Sequence, residues 1–488
     1  IGIGVYYSKV NNSTEDFYLG GRKLGPFVTA MSAEASDMSS WLLMGLPGVA
    51  YLTGVCNAFW TAVGLGIGTY VNWLIVAKRL RKYSVICGDA ITVPDFFANR
   101  YRDKKVLKCV SALMIIIFFV PYTASGFAAC GKLFHSLFGV DYMAAMVISA
   151  IVIVAYTTLG GFWAASTSDF IQSIVMSVAL IIVIGYGVYS VGGIDVVASN
   201  VKDLPGYINL NATFDATTNS SSPYGIITIF STLAWGLGYF GMPHILLRFM
   251  AIEDKNKIKL SRRIASVWVV IAMAVAIFIG VIGHTMSQVG VIDNLKDSET
   301  IIVQIANVLS SHGILFAIIA GVILAGILAS TMSTSDSQLL AASSSVTENL
   351  MDGVLGIKLS EKAKVIVARC TVIGIAIVAI FLASNPDSSV FQIVSFAWAG
   401  FGSTFGPVML FALFWKRSNK YGAISGMVAG GAMVFIWKFV VRPLGGAWDI
   451  YELLPAFIVA CVFIIVISLL TKAPEQEIID EFDSVKNA

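Results

Sequence analysis

Three aspartates stand beside hydroxyl residues in long apolar stretches of the sequence, at Asp37, Asp169 and Asp336. A charged side chain inside a bilayer costs about 2.5–3.5 kcal/mol on the insertion scale, so each is a candidate functional residue. Near Asp336, hydroxyl residues recur at helical spacing, which places their oxygens on one helix face. They are Ser330, Ser333, Thr334 and Ser337. Carboxylate, hydroxyl and carbonyl oxygens suit a hard cation, so the pattern predicts cation binding.

These signals also have structural explanations. The hydroxyl face can serve close packing between helices. Asp169 and Glu34 can lie hydrated at a membrane surface. The sequence offers few lysines or arginines at membrane depth to pair with the acids. We therefore expect a bound cation or a proton to neutralise them.

The composition excludes several classes of protein. Hydrophobic residues make up 57% of the 488 residues and charged residues only 12%, about half the charged share of a soluble domain. This excludes an ordinary cytosolic enzyme, a nucleic-acid binder and a disordered chain, and it favours a polytopic membrane protein. Six cysteines without a CxxC pair and four histidines without an HxxxH pair argue against a disulfide framework, a metal cluster or haem.

Apolar stretches of about 20 residues predict the membrane spans. Residues 1–8 resemble the tail of a hydrophobic helix, and since the sequence has no initiator Met we expect this first helix to be truncated. Twelve full-length spans follow, which gives about 13 in all. They are predicted at 25–53, 57–78, 106–136, 141–159, 163–191, 224–247, 264–288, 313–348, 364–384, 387–415, 420–440 and 451–471.

Most of the 32 lysines and arginines fall in loops that share one side of this arrangement. The positive-inside rule makes that side the cytoplasm. It places the C-terminal tail, 472–488, inside and the loop 193–223 outside. That loop contains two glycosylation-type triplets, at Asn211 and Asn219, although we expect a plain polar surface loop.

Two predicted spans cannot be regular helices along their whole length. The span at 25–53 carries Glu34, Asp37 and several serines, and the span at 224–247 has three glycines and a proline within ten residues. The two lie five spans apart, so 25–191 and 224–415 form two five-helix repeats of inverted orientation, followed by two C-terminal helices at 420–471. Matched breaks in inverted repeats indicate the binding site of a secondary transporter. The alternative is a pair of kinked helices with packing glycines.

Aromatic residues accompany both breaks, at Trp41, Tyr122, Trp235, Tyr239 and Trp398. Such rings can enclose a small organic solute while their polar tips orient it. For any one of them, ordinary packing is the more common role.

The sequence resembles the sodium/solute symporter family over essentially its whole length. The motifs that carry the resemblance are Tyr18-Leu-Gly-Gly-Arg-Lys-Leu-Gly-Pro-Phe, Ala35-Ser-Asp-Met-Ser-Ser-Trp-Leu-Leu-Met-Gly-Leu-Pro-Gly, Trp235-Gly-Leu-Gly-Tyr-Phe-Gly-Met-Pro-His, Arg248-Phe-Met-Ala and Ala397-Trp-Ala-Gly-Phe-Gly. The resemblance is strongest to bacterial members that import L-proline with sodium. It implies an all-α LeuT-type fold with a five-plus-five inverted-repeat core and extra helices.

The resemblance also implies site residues. A sodium ion would be bound by the carbonyls of Ala35, Met38 and Ser330 and the hydroxyls of Ser333 and Thr334, with Asp37 and Asp169 as sodium-linked acids. The substrate would be lined by Ser39, Ser40, Trp41, Tyr122, Trp235, Tyr239 and Pro243. Ser40, Ser330, Glu34 and Asp336 depart from the family pattern. A second cation near Asp169, Asp336 and Ser337 is an open alternative.

The function implied is sodium-driven import of L-proline across a bacterial inner membrane. Coupling to protons, or transport of another amino acid, a sugar or a carboxylate, remains open. A channel would need a continuous polar lining, and an electron-transport subunit would need cofactor ligands; neither fits the sequence. We expect no enzymatic activity, no organic cofactor, no nucleic acid and no obligate protein partner; membrane lipid is the expected surrounding.

Overall fold

The computed structural model describes residues 2–8, 14–357 and 360–487, and helices dominate it. Residue 1 of the predicted truncated helix, part of the loop that follows it and residue 488 of the tail lie outside the described residues. The helices are α1 Gly2–Ser8, α2 Thr14–Leu19, α3 Pro26–Asp37, α4 Leu46–Thr53, α5 Val55–Val71, α6 Ala77–Ile86, α7 Val93–Arg100, α8 Val106–Phe138, α9 Tyr142–Ser190, α10 Ile194–Lys202, α11 Ile226–Leu233, α12 Pro243–Ala251, α13 Ile258–Gln288, α14 Ile301–Ser310, α15 Ile314–Ser344, α16 Glu361–Leu382, α17 Val390–Phe414, α18 Lys420–Ile436, α19 Leu453–Leu470 and α20 Gln476–Asn487.

The chain also contains short π-helical segments, which are wider than an α-helix, and short 3₁₀ segments, which are tighter. The π-helical segments are Trp41–Gly45, Asn72–Val76, Ser345–Val354 and Trp437–Val441. The 3₁₀ segments are Gly20–Arg22, Ala234–Phe240, Lys255–Lys257, Ser298–Thr300, Arg442–Leu444 and Gly446–Trp448. One antiparallel hairpin, β1 Ala212–Asp215 and β2 Ser220–Pro223, lies in the loop that was predicted to be external.

The described residues include eight helices that are long and apolar enough to cross a membrane. A ninth span results if the bent pair Ile226–Phe240 and Pro243–Ala251 is counted as one. Three shorter apolar helices, Trp41–Thr53, Tyr142–Ala155 and Ile366–Leu382, fall inside other predicted spans. The chain is therefore a multi-pass membrane protein, while the count of about 13 spans stays a prediction.

The first predicted break is present. Helix α3 begins at Pro26, a favoured first residue of a helix, and ends at Asp37. The backbone of Met38 turns away, with φ −76° and ψ 48°, and helical structure resumes as a π-helical turn at Trp41. Residues 38–40 thus leave peptide groups outside the regular helical pattern in the middle of a span.

The second predicted break is present as well. After α11 the chain tightens into the 3₁₀ segment Ala234–Phe240, and α12 starts at Pro243 with a bend of 45°. Gly238 lies so close to the indole of Trp398 that a Cβ atom would overlap the ring. The glycines of this segment weaken the helix, and Gly238 has a second role because its missing side chain lets α17 pack closely against the segment.

The structure adds three features to the predicted spans. The spans predicted at 141–159 and 163–191 form one long segment, α9, which turns at Gly161 with φ 61° and ψ −161°. The connection between α13 and α15 contains the short helix α14. The predicted tail folds back as helix α20. Below, the face of the protein that carries the β-hairpin is called the hairpin face, and the opposite face, which carries α20, is called the C-terminal face.

Candidate functional site

The two breaks meet at Asp37. The phenol of Tyr239, in the second broken segment, donates a hydrogen bond of 2.6 Å to Oδ2 of Asp37. The phenol of Tyr122, from α8, donates to the carbonyl oxygen of the same residue at 3.3 Å. The side-chain amide of Asn72 donates to the carbonyl of Tyr239 at 2.9 Å. Asp37 is buried and therefore lies at the centre of a network that joins both breaks.

Four of the five predicted sodium ligands form one cluster between α3 and α15. The hydroxyl of Ser333 lies 2.8 Å from the carbonyl oxygen of Ala35 and 3.1 Å from that of Ser330. The hydroxyl of Thr334 lies 3.1 Å from the carbonyl of Ser330. Met38, the fifth, lies at the break next to Asp37. All four residues of the cluster are buried, so carbonyl and hydroxyl oxygens of the kind that bind a hard cation converge there.

A small cavity lies at the first break and is walled by aromatic rings. It is lined by Asp37, Met38, Trp41, Leu65, Tyr122, Trp235, Val394 and Trp398. The rings of Trp41 and Trp235 approach to 5.8 Å between centroids. Of the predicted substrate residues, three therefore line the cavity, and four lie in or beside the breaks without lining it: Ser39, Ser40, Tyr239 and Pro243.

Two polar atoms near the cavity lack partners among the described residues. They are the hydroxyl of Ser40 and the indole nitrogen of Trp41, and both are buried. Leaving a buried polar group unsatisfied costs about 1–3 kcal/mol. A ligand with an acceptor group would satisfy both, since each of the two groups can donate a hydrogen bond.

A much larger cavity of about 1120 Å³ opens towards the hairpin face; we call it the vestibule. Its inner end is formed by Gly45, Trp235 and Phe391. The rings of Trp235 and Phe391 lie 5.4 Å apart, and Tyr451 stacks on Trp235 at 5.0 Å. Trp235 lines both cavities, so a single aromatic layer separates the small cavity from the vestibule.

The predicted absence of basic partners is wrong for Asp169. Arg248 lies buried in α12, and its guanidinium is 2.9 Å from Oδ2 of Asp169, with exposures of 1% and 0%. Ser32 donates to the same oxygen at 2.7 Å, and Arg248 also donates to the hydroxyl of Ser337 at 2.6 Å. Burial excludes the hydrated location considered for Asp169. Arg248 lies inside α12, the second half of the bent pair, and not in the loop that would begin after the predicted span 224–247.

Glu34 and Asp336, the two acids that depart from the family pattern, are buried too. Oε1 of Glu34 accepts hydrogen bonds from Thr69 at 3.2 Å and from the indole of Trp73 at 3.0 Å. It therefore joins α3 to the end of α5 and to the π-helical segment Asn72–Val76, and a hydrated surface location is excluded for this residue as well. Asp336 accepts a hydrogen bond of 3.2 Å from the adjacent Ser337, which in turn accepts one from Arg248, so Ser337 links Asp336 to the pair of Asp169 and Arg248.

A model of the sodium:solute symporter family matches residues 17–430. The chain belongs to this family. It is 44% identical over 492 residues to a sodium/proline symporter of Haemophilus influenzae, covering 100% of this chain and 95% of the relative. It is 42% identical over 476 residues to the osmoregulated proline transporter OpuE of Bacillus subtilis, covering 97% and 93% of the two chains.

Solved structures of transporters share the fold. A Na⁺-coupled sialic acid symporter in a substrate-bound, outward-open state superposes with a TM-score of 0.79 at 16% identity, over 97% of this chain and 96% of the other. MhsT in complex with L-phenylalanine superposes with a TM-score of 0.56 at 13% identity, over 91% and 97%. The predicted LeuT-type architecture is thereby confirmed, while the boundaries of the two repeats stay predictions.

One cluster of this symporter was not singled out in the sequence. At the vestibule, the ammonium of Lys132 lies 2.8 Å from both Asp297 and Glu299. Glu299 also accepts hydrogen bonds from the amides of Val390 and Phe391 at 3.0 Å each, at the start of α17. The only signal in the sequence is the lysine itself, which stands alone near the end of an apolar span.

Proposed function

We propose that this chain is a sodium-coupled symporter that imports L-proline by alternating access. The observation that carries the proposal is the meeting of a carbonyl and hydroxyl cluster with an aromatic cavity at Asp37, in the first broken helix. The proline transporters of Haemophilus influenzae and Bacillus subtilis, at 44% and 42% identity, support the choice of substrate. Transport of this kind needs no covalent chemistry and no organic cofactor.

Sodium would bind the predicted set of Ala35, Met38, Ser330, Ser333 and Thr334. In the present arrangement the hydroxyl of Ser333 donates to Ala35, and binding requires it to rotate so that its lone pairs face the ion. The carboxylate of Asp37 lies in the same break and makes the site electrostatically favourable for a cation. Binding of the ion would then hold α3 and α15 together and order residues 38–40.

The aromatic cavity next to the proposed ion site has a volume of about 10 Å³, which is room for about one water molecule. The substrate would therefore bind there after the surrounding rings move apart. Its carboxylate is an acceptor for the unpartnered hydroxyl of Ser40 and indole nitrogen of Trp41. Its apolar pyrrolidine ring would pack against Tyr122 and Trp235, which line the cavity. Ser39, Tyr239 and Pro243 would shape the breaks that hold these groups in place.

The proposed coupling can drive substantial accumulation. One positive charge crossing about 100 mV releases about 2.3 kcal/mol, and a roughly tenfold sodium gradient adds about 1.4 kcal/mol. Together they support roughly a 500-fold accumulation of a neutral zwitterion. A second cation near Asp169, Asp336 and Ser337 would share its space with the guanidinium of Arg248, so the proposal uses one sodium ion.

The orientation follows from the distribution of basic residues. We place the protein in a bacterial cytoplasmic membrane, with the C-terminal face in the cytoplasm and the hairpin face outside. In this orientation the vestibule of about 1120 Å³ opens to the outside. Substrate and sodium would reach the breaks from there and leave by the C-terminal face after the vestibule closes.

Uptake of radiolabelled L-proline into proteoliposomes tests the proposal. Imposed sodium, proton or no gradients separate the coupling ions, and a competition panel of other amino acids, sugars and carboxylates separates the solutes. We expect accumulation only with the sodium gradient, displaced by unlabelled proline. Equal uptake without sodium would contradict the coupling ion, and failure of proline to compete would contradict the substrate and favour another solute.

A further inference from the structure

Helix α20 is amphipathic and folds back onto the protein. Its apolar residues Ile478, Phe482 and Val485 recur at spacings of four and three, which forms one helix face, and all three are buried. Its acidic residues include Glu477, Asp480, Glu481 and Asp483. An apolar stripe beside acidic side chains fits a basic surface, and the C-terminal face provides one.

One side of α20 contacts α6. Lys82 donates to the carbonyl of Val485 at 2.7 Å, and the guanidinium of Arg79 lies 4.9 Å from the ring centre of Phe482. Helix α6 is itself tied to the second broken helix, because Arg81 donates to the carbonyl of Ile252 at 2.7 Å, just beyond α12.

The first broken helix belongs to the same group. The amide of Leu24, just before α3, donates to the carbonyl of Ala251 at 3.2 Å, and the amide of Glu253 donates to the carbonyl of Leu24 at 3.0 Å. On the C-terminal face, the ends of α3, α6 and α12 are thus bound into one unit, which we call the break unit.

The other side of α20 contacts a different group of elements. Glu481 lies 2.8 Å from Arg102, between α7 and α8, and Asp483 lies 3.6 Å from Lys416, which follows α17. Arg100 places its guanidinium 5.3 Å from the ring of Phe482 and donates to the carbonyl of Ala412 in α17 at 3.1 Å. Helices α7 and α17 therefore form a second group, the flanking unit. The two units also contact each other directly, since Arg79 of α6 lies 5.1 Å from the ring of Phe414 in α17 and Asn99 of α7 donates to the carbonyl of Cys87, just after α6, at 2.9 Å.

We propose that α20 is a latch that strengthens the contact between the break unit and the flanking unit on the C-terminal face and so stabilises the state whose vestibule is open on the hairpin face. Phe482 is its anchor, since it packs against arginines from both units. The inference rests on the proposed alternating access, because passage of solute through the C-terminal face requires the two units to separate. The latch must release or stretch at that step.

The chemistry of the latch predicts a response to salt. Its ion pairs are partly exposed, with Lys416 and Asp483 at 58% and 45%. Ions screen such pairs, over a Debye length of about 8 Å at physiological ionic strength. Raising the salt concentration at constant sodium would therefore weaken the latch and favour opening of the C-terminal face.

Labelling of a reporter cysteine tests the latch without measuring transport. Gln392→Cys lines the vestibule, and a bulky maleimide reports its accessibility in purified full-length protein in lipid nanodiscs. Protein without the reporter gives the background from the native cysteines. With Phe482→Ala we expect labelling to slow by about threefold or more, because a population shift follows directly from the lost stabilisation. High choline chloride should act in the same direction.

Charge reversal provides a second, independent variant. Glu481→Arg should slow labelling, and Arg102→Glu combined with Glu481→Arg should restore it. Asp480→Asn is the matched control, because this exposed residue on the same helix accepts a hydrogen bond from Gln476 within α20. Unchanged labelling in Phe482→Ala and Glu481→Arg would overturn the latch. Altered labelling in a protein that fails to transport proline would retain the latch and refute the proposed function.

Discussion

The phenol of Tyr239 and the carboxylate of Asp37 share a hydrogen bond of 2.6 Å that joins the two interrupted helices to each other. Both residues are buried. The contact spans 202 positions of sequence, yet it brings together the two places where helical structure stops. If the proposed sodium site lies beside Asp37, this bond holds the acid in position for the ion.

Tyr239→Phe should therefore weaken sodium binding while leaving the fold intact. A hydrogen bond to a charged group contributes about 1.5–3 kcal/mol, so the sodium concentration for half-maximal proline uptake should rise about tenfold or more. Tyr142→Phe is the matched control, since it removes a buried tyrosine hydrogen bond of 2.7 Å to Ala383 far from the breaks. An unchanged sodium dependence in Tyr239→Phe would mean that the bond has no part in ion binding.

Ser333→Ala tests the proposed sodium ligand in α15. It deletes an oxygen that lies 2.8 Å from the carbonyl of Ala35, and we expect a rise of about tenfold in the half-saturating sodium concentration, or about 1.4 kcal/mol. Ser343→Ala removes a buried hydroxyl of the same helix that, among the described residues, bonds to the carbonyl of Leu340 in its own turn. If the two variants had the same sodium dependence, Ser333 would not be a sodium ligand.

Trp235→Leu should act mainly on the substrate. The indole lines both the small cavity and the vestibule, and replacing it removes ring contact with the solute and opens the layer between the two cavities. We expect the KM for proline to rise at least tenfold at saturating sodium. Trp448→Leu, at a side chain that is 53% exposed, should leave KM unchanged. An unaltered KM in Trp235→Leu would place the substrate elsewhere.

The pair Asp169 and Arg248 predicts a characteristic pattern of stabilities. Removing one partner of a buried ion pair leaves an uncompensated charge and costs about 3–5 kcal/mol. Asp169→Asn and Arg248→Gln should each lower the unfolding temperature in detergent strongly, and the double variant should recover a large part of the loss. Additive losses in the double variant would show that the two side chains do not act as a pair.

The sequence predicts the breaks well because their causes are local. Three glycines and a proline within ten residues weaken a helix through their own backbone preferences, and Pro243 and Gly238 belong to such a group in the second broken segment. The hydroxyl face of α15 is likewise a matter of helical spacing, and Ser333 and Thr334 do lie towards Ala35 and Ser330 in the structure.

The ion pairs could not be predicted in this way because they join distant elements. Arg248 and Asp169 are 79 positions apart, and Lys132 and Glu299 are 167 apart. Which acid pairs with which base depends on how the helices pack against each other, and the hydropathy of the sequence does not predict that packing. The predicted span 224–247 stops one residue short of Arg248, because the end of a broken helix and the start of a polar loop have similar compositions.

The break at residues 38–40 has a thermodynamic consequence. Ala35, on one side of the break, is a proposed sodium ligand, and Trp41, on the other side, lines the small aromatic cavity proposed to bind the solute. Two ligands that act on the same short segment of backbone must influence each other's affinity. Linkage requires that influence to be mutual, so the factor by which sodium tightens proline binding equals the factor by which proline tightens sodium binding.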